Sequence, residues 1–414
     1  MPFQIKIFPP GDLQFIWLAF LLLIPVAVGA GEVSLVDGIP HIMNQAQPPQ
    51  GRQTVDLVEL WRAGGEDGEV IFGRISDVVR HPDGEVLVLD NQLCQVEVFS
   101  PDGAHLRTLS RQGDGPGEVR QPTGLILLPG DLVGIGAGFP AKLVTLEMDG
   151  TPVDTRYPIG EPSEGKIGVM ISLDTGGGLL AATGGRLVFD GPDNSYAERF
   201  LAVADADGEG YSRILMRNTP LDPTGRLWDE VADYYFDGRW DLGPDGLFYV
   251  PMKRDAYLIS VFDRTGELKF AFGREYTPRK RTEEDKQQAS PIINAAGGRN
   301  DEEWDICDHD EAVTRVMLNP DDGTIWVLTP SGANEQPDGV LETWDVFSTK
   351  GEFLRQAAVP NLCGIQDGSC FLVGGNRMVV IRGTGSTFND DRELDEEEME
   401  EEVEPLEVIC YAVR

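Results

Sequence analysis

One phrase recurs along this chain: an apolar strand, a glycine turn, a second strand, a loop, a strand ending Val-Phe, and another glycine turn. It is clearest from Ile75 to Ser110, where His81-Pro82-Asp83-Gly84 precedes Glu85-Val86-Leu87-Val88-Leu89-Asp90. Gln95-Val96-Glu97-Val98-Phe99 then leads into Ser100-Pro101-Asp102-Gly103. Alternating apolar and polar residues around Pro-Asp-Gly turns are hairpin chemistry, because glycine supplies the positive φ that such turns need. The turn glycines lie 19 residues apart in this copy (84 to 103) and 20 apart in two others (130 to 150, 246 to 266). Gly176 to Gly208 and Gly323 to Gly351 mark two stretched copies. A sixth, degenerate unit runs through Phe371–Arg382 and Leu406–Val413.

A four-stranded meander cannot bury both its faces alone, so such units stack on one another. A ring closes the stack and removes the exposed sheet edges that open stacks leave. The predicted fold is therefore all-β, a six-bladed β-propeller of four-stranded antiparallel blades. The last unit ends at Arg414 after its third strand, and Thr54–Trp61 has the pattern to supply the fourth. Ring closure by pairing the N-terminal strand with the last blade follows.

The unit Ile75–Gly124 resembles the NHL-repeat six-bladed propellers. The likeness rests on Pro-Asp-Gly followed by an alternating strand, on Val98-Phe99-Ser100-Pro101-Asp102-Gly103, and on Gly113-Asp114-Gly115-Pro116-Gly117-Glu118 before Pro122-Thr123-Gly124-Leu125. That resemblance implies a fold and no single function, since such propellers include binding modules, lyases and metal-dependent hydrolases.

Residues 1–30 read as a signal peptide: an apolar run, Phe15–Ala30, ends in small residues. An N-terminal linker (31–53) and a single propeller domain (54–414) follow, with no membrane span expected in the mature chain. Export, to a periplasmic, extracellular or cell-surface location, follows from that segment. The five cysteines include Cys363 and Cys370, close enough to close a small disulfide loop in an oxidising compartment. With 34 Lys+Arg against 70 Asp+Glu, the net charge of −36 repels phosphate backbones, so nucleic acid is excluded as a partner. A protein, peptide or small-molecule ligand suits the charge better.

In a meander blade the strand 1–2 and 3–4 turns share one end of the ring, and the 2–3 and 4–1 connections share the other. The short glycine turns all belong to the first set. The long insertions belong to the second: Asp190–Glu198, Asn218–Arg239, Arg274–Glu311, Ser331–Gly339 and Gly383–Pro405. One end is trimmed and the other decorated, and decorated loops on a rigid scaffold are where binding resides. Within 274–311, Thr277-Pro278 predicts the cap and first position of a short helix over Arg279–Ala289. The loop 383–405, nearly all acidic over Asp390–Glu404, predicts a disordered acidic excursion.

Asp90, Asn91 and Gln92 should share the decorated end with Arg111, Asp114, Glu118 and Arg120, and these seven are the candidate ligand contacts. No Gly-x-Ser-x-Gly elbow and no His-Glu-x-x-His helix is present. Of four histidines only His309 lies beside the ring mouth, too few for zinc. No catalytic residue or metal ligand is assigned and no cofactor is predicted. Ca²⁺ stays open, because it needs only carboxylates and amides converging on the axis. Two readings remain: a binding or scaffold module, or a calcium- or zinc-dependent hydrolase or lyase at the mouth of the axial channel.

Overall fold

The computed structural model describes residues 31–66, 68–160, 168–189, 195–208, 210–220, 229–287, 289, 305–362, 368–383 and 405–414. Within them the chain is nearly all β, in six blades around an axis. Blade I spans Ile75–Leu109, blade II Pro122–Arg156, blade III Gly168–Pro220, blade IV Asp241–Arg274 and blade V Arg315–Pro360. Blade VI holds Gly368–Leu372, Arg377–Arg382 and Glu407–Val413. Strand order within blades I to III is a plain meander, and the first strands of neighbouring blades touch around the axis.

The ring closes as the sequence predicts, with a shifted boundary. The fourth strand of blade VI is Leu57–Gly64, antiparallel to Glu407–Val413, with Leu57 opposite Val413 and Gly64 opposite Glu407. Thr54 belongs elsewhere: Arg52–Thr54 runs parallel to Phe353–Pro360, the outer strand of blade V. Buried Val55 marks the crossing between the two rims, its N–H given to Ala358 O. The segment 31–53, expected as a linker, is likewise strand. Glu32–Val36 and Ile39–Asn44 form a hairpin whose second strand lies parallel to Leu268–Arg274, extending blade IV to six strands. The N-terminal chain thus runs along the rims of blades IV, V and VI in turn.

The core is six wedges, one between each pair of consecutive blades. Leu87, Leu89, Val96 and Val98 of blade I meet Leu125, Val133, Ile135 and Val144 of blade II, for example. At the closure, Trp61 stacks on Phe99 with centroids 5.4 Å apart. The turn beneath explains why glycine is needed there. Gly103 has φ +89°, and a Cβ at that position would sit 2.4 Å from Trp61 Cβ. In blade III the positive-φ glycines are Gly177 and Gly178 rather than the expected Gly176 and Gly208.

Connections at the two ends differ as anticipated. The 2–3 connection of blade V carries a short helix, Pro330–Asn334, capped by Thr329 Oγ1 accepting from Gly332 N at 3.0 Å. Blade III departs from the expected loop: its middle strands, Leu179–Phe189 and Ser195–Asp205, continue as a long hairpin. The predicted helix over Arg279–Ala289 is corrected too. Residues 279–281 are extended, because Arg281 N donates to Asp308 O and Asp310 N to Arg279 O. The helical turn covers 283–287, and its cap is Thr282, reciprocally bonded with Asp285. The signal segment 1–30 and residues 384–404 of the acidic loop lie outside the described residues. No helix among the described residues is long and apolar enough to cross a membrane.

Candidate functional site

The axial channel comes first, because a metal-dependent reading would place its site there. An inner strand has one edge with no partner inside its own blade, and its backbone donors need acceptors. Aspartates on the inner strands supply them across the blade boundaries. Asp77 of blade I accepts from Leu125 N at 2.8 Å, and Asp174 of blade III from Leu242 N at 2.9 Å. Asp241 of blade IV accepts from Leu318 N at 2.5 Å. Arg315 Nη1 donates to Cys370 O between blades V and VI. Burial raises the pKa of Asp77, against the pull of the Leu125 and Val78 N–H groups. Burial likewise lifts Asp174 well above the carboxylate range, helped by the charge of Asp241, and lifts Asp241 as well. Each bears on the other's proton affinity, as in a carboxyl pair that shares a proton. These carboxylates lace the ring together. Among the described residues no three His, Cys, Asp or Glu side chains converge as metal ligands do.

The seven residues predicted as contacts do reach the decorated end, but they are engaged within their own loops and with the connection from blade VI. Asp90 is 1% exposed and accepts four backbone N–H bonds, from Gly73, Arg74, Gln92 and Leu93. It holds its loop and the incoming connection from blade VI. Asn91 Oδ1 accepts from Arg74 Nε, and exposed Gln92 lies against Gly73. Arg111 pairs with Glu118, whose other oxygen accepts Gly115 N, and Arg120 pairs with Asp114. The turn Gly113–Glu118 is the self-satisfied joint between blades I and II. Of Cys363 and Cys370, the first lies outside the described residues. Cys370 is a buried free thiol that donates to Glu342 Oε2 at 2.9 Å, and burial raises its pKa well above the usual thiol range.

Beside blade IV the long connections are pinned by a network of arginines and carboxylates that no local sequence signal announces. Arg254, from the 2–3 connection, donates to Glu230 at 2.7 Å and to His309 O at 2.7 Å. Arg281 donates to both Glu230 and Asp310, Arg279 to Asp310 and Asp285, and Arg239 to Glu311. Burial works to raise Glu230, but the Arg281 hydrogen bonds, Cys307 N and the Arg254 charge outweigh it and leave its pKa below the ordinary value. Charges this well paired fix the segments 229–240, 275–287 and 305–314 onto the ring. His309 contributes its carbonyl to this network, and its ring is exposed.

Between blades IV and V the same end opens into a cavity of about 490 Å³. Five stretches line it: the N-terminal strap (Ala46, Gln47, Arg52), the exit of blade IV (Arg274–Thr277), the helical connection of blade V (Thr329–Gln336), and two blade V strands carrying Thr343 and Asp345 and Gln356. Its floor is Asp345, 2% exposed. Arg274 donates to Asp345 Oδ2 through Nε and Nη2, both at 2.7 Å, and Tyr257 Oη donates to the same oxygen at 2.8 Å. Gln356 Nε2 donates to Oδ1 at 3.0 Å. The guanidinium of Arg274 also stacks over Tyr257, 4.7 Å from its centroid, which leaves it little freedom to move. At the rim, Arg52 Nη2 donates to Thr343 Oγ1 at 2.7 Å and Gln336 Oε1 at 3.1 Å. Arg52 makes no ion pair among the described residues. The Oη of Tyr276 is shielded beside the Ser331 and Thr329 hydroxyls, which pull its pKa down against the larger upward effect of burial. A cavity that combines a rigid charged floor with spare donors at its rim meets the physical requirements of a ligand site.

With this geometry established, solved structures place the fold among six-bladed β-propellers. A member of the DUF4221 family from Bacteroides vulgatus is similar at a TM-score of 0.52 and 10% identity, over 88% of this chain and 99% of that one. A gluconolactonase from Xanthomonas campestris is similar at 0.45 and 12%, over 92% and 98%. Virginiamycin B lyase from Staphylococcus aureus is similar at 0.41 and 10%, over 86% and 99%. No protein-family model and no curated protein matches the chain, so the NHL resemblance is carried by the fold it implied and not by a family assignment.

Proposed function

We propose that this protein is an exported binding or scaffold module that acts through its loop-decorated end. The observation that carries the reading is the asymmetry of the ring. Every long connection emerges at one end, a paired Arg–carboxylate network holds several of them rigid, and a polar cavity opens among them. Rigid loops around a concave polar surface lower the ordering cost of association, which is what a binding face requires. The axial aspartates are engaged with backbone donors, which supports a structural role for the channel. The apolar segment at 1–30 supports export, to the periplasm, the extracellular space or the cell surface.

Hydrogen–deuterium exchange tests this reading. The purified chain, mixed with a small-molecule and glycan extract of its compartment, should show protection at 45–52, 275–286 and 329–340, with the turns at Gly84, Gly103, Gly130 and Gly150 unchanged. Protection confined to those turns would count against it. So would hydrolysis or elimination of a substrate panel that a chelator abolishes and added Ca²⁺ or Zn²⁺ restores.

A further inference from the structure

We infer that the cavity between blades IV and V binds a small polyhydroxylated molecule carrying one carboxylate. The inference rests on the binding reading above and assigns that reading a place and a ligand class.

Charge is the first argument. At the floor, Arg274 and Asp345 neutralise each other in contact at 2.7 Å, so neither is left to hold a charged ligand. Arg52 at the rim is different. Its two recorded hydrogen bonds run from one terminal nitrogen to neutral oxygens, and no carboxylate pairs with it among the described residues. Its side chain is exposed at the cavity mouth, and those two bonds leave Nε and the other terminal nitrogen free of them. Its planar fork suits a carboxylate.

The second argument is the rest of the lining. Thr329, Ser331, Thr343, Gln336 and Gln356 present hydroxyls and amides, with Tyr276 the aromatic wall and exposed Glu275 the acidic one. Groups of this kind both donate and accept, which matches vicinal hydroxyls and gives an apolar ligand nothing to bury against. Tyr276 Oη adds an independent sign. That oxygen is shielded from solvent beside the Ser331 and Thr329 hydroxyls, a cluster that a ligand hydroxyl can join. The volume, about 490 Å³, admits a monosaccharide-sized molecule.

Calorimetric titration with D-glucuronate, D-glucose and propionate tests this assignment. Glucuronate should bind about tenfold or more tightly than glucose, the range for a hydrogen-bonded ion pair, and propionate should not bind. Arg52→Ala should abolish the preference for glucuronate over glucose. Arg52 is exposed on an added outer strand, and an unchanged melting temperature will show that the ring is intact. Tyr276→Phe should weaken both sugars while leaving their ratio unaltered. The assignment is overturned if none of the three binds, or if glucuronate binds and neither variant changes its affinity. Exchange protection elsewhere on the decorated end, with the cavity segments unchanged, overturns the assignment and leaves the binding reading standing. Protection at the trimmed end removes both.

Discussion

The axis and the blade IV–V cavity both contain buried carboxylates, and the two regions use them in opposite ways. Asp77, Asp174 and Asp241 face neighbouring backbone N–H groups and one another, and burial raises their pKa values. Asp345 faces a guanidinium, a phenol and an amide, all within 3.0 Å. The first set closes a ring by neutral or proton-sharing contacts. The second is a charged, hydrogen-bonded floor under a solvent-filled space. A carboxylate near a channel is therefore weak evidence of chemistry until its partners are known.

The contrast can be broken by mutation, starting with the largest effect. Asp345→Ala leaves the mostly buried Arg274 charge without its counter-ion and should destabilise the fold by about 3–5 kcal/mol, read as a lower denaturant midpoint. If it costs no more than an axial substitution, the cavity floor is not the charged site described. Asp241→Ala removes the acceptor of the Leu318 and Leu242 N–H groups and should cost about 1–3 kcal/mol, with Asp241→Asn milder because it keeps an acceptor. Asp174→Asn should act through pH. A carboxyl whose folded pKa is raised holds its proton more tightly in the folded state. Its stabilisation is thus fully present below the unfolded value of about 3.9 and is lost as pH rises through the folded value. The variant, freed of that proton, should gain on the wild type as pH rises through that window, measured by denaturation at a series of pH values. A variant that loses ground to the wild type as pH rises would refute the shared-proton description. The smallest effect belongs to Arg120→Ala, which breaks an exposed pair with Asp114 and should shift stability by less than about 1 kcal/mol.

Much of the fold is legible in the sequence because hairpin turns are local chemistry. Gly84 and Gly103 declare their turns within four residues, and their repetition gives the ring. The extra strands Glu32–Val36, Ile39–Asn44 and Arg52–Thr54 are not legible in the same way. They are strands only because the rims of blades IV and V offer open edges. The candidate site divides likewise. Insertion lengths correctly indicate which end carries the long connections. Asp90, however, reads as a contact from position alone, and its four N–H bonds make it a loop anchor. Arg52, Arg274, Tyr276, Gln336, Thr343 and Asp345 come from four distant segments, so no spacing in the sequence brings them together.

The rim-following N-terminal chain also dictates when this protein can fold. Its first three partners are the outer strands of blades IV and V and the final strand, Glu407–Val413, all made late in synthesis. Pairings of such long sequence separation form slowly, after costly loop closure. The N-terminal strands therefore wait for partners made after blades I to III, which pair within themselves.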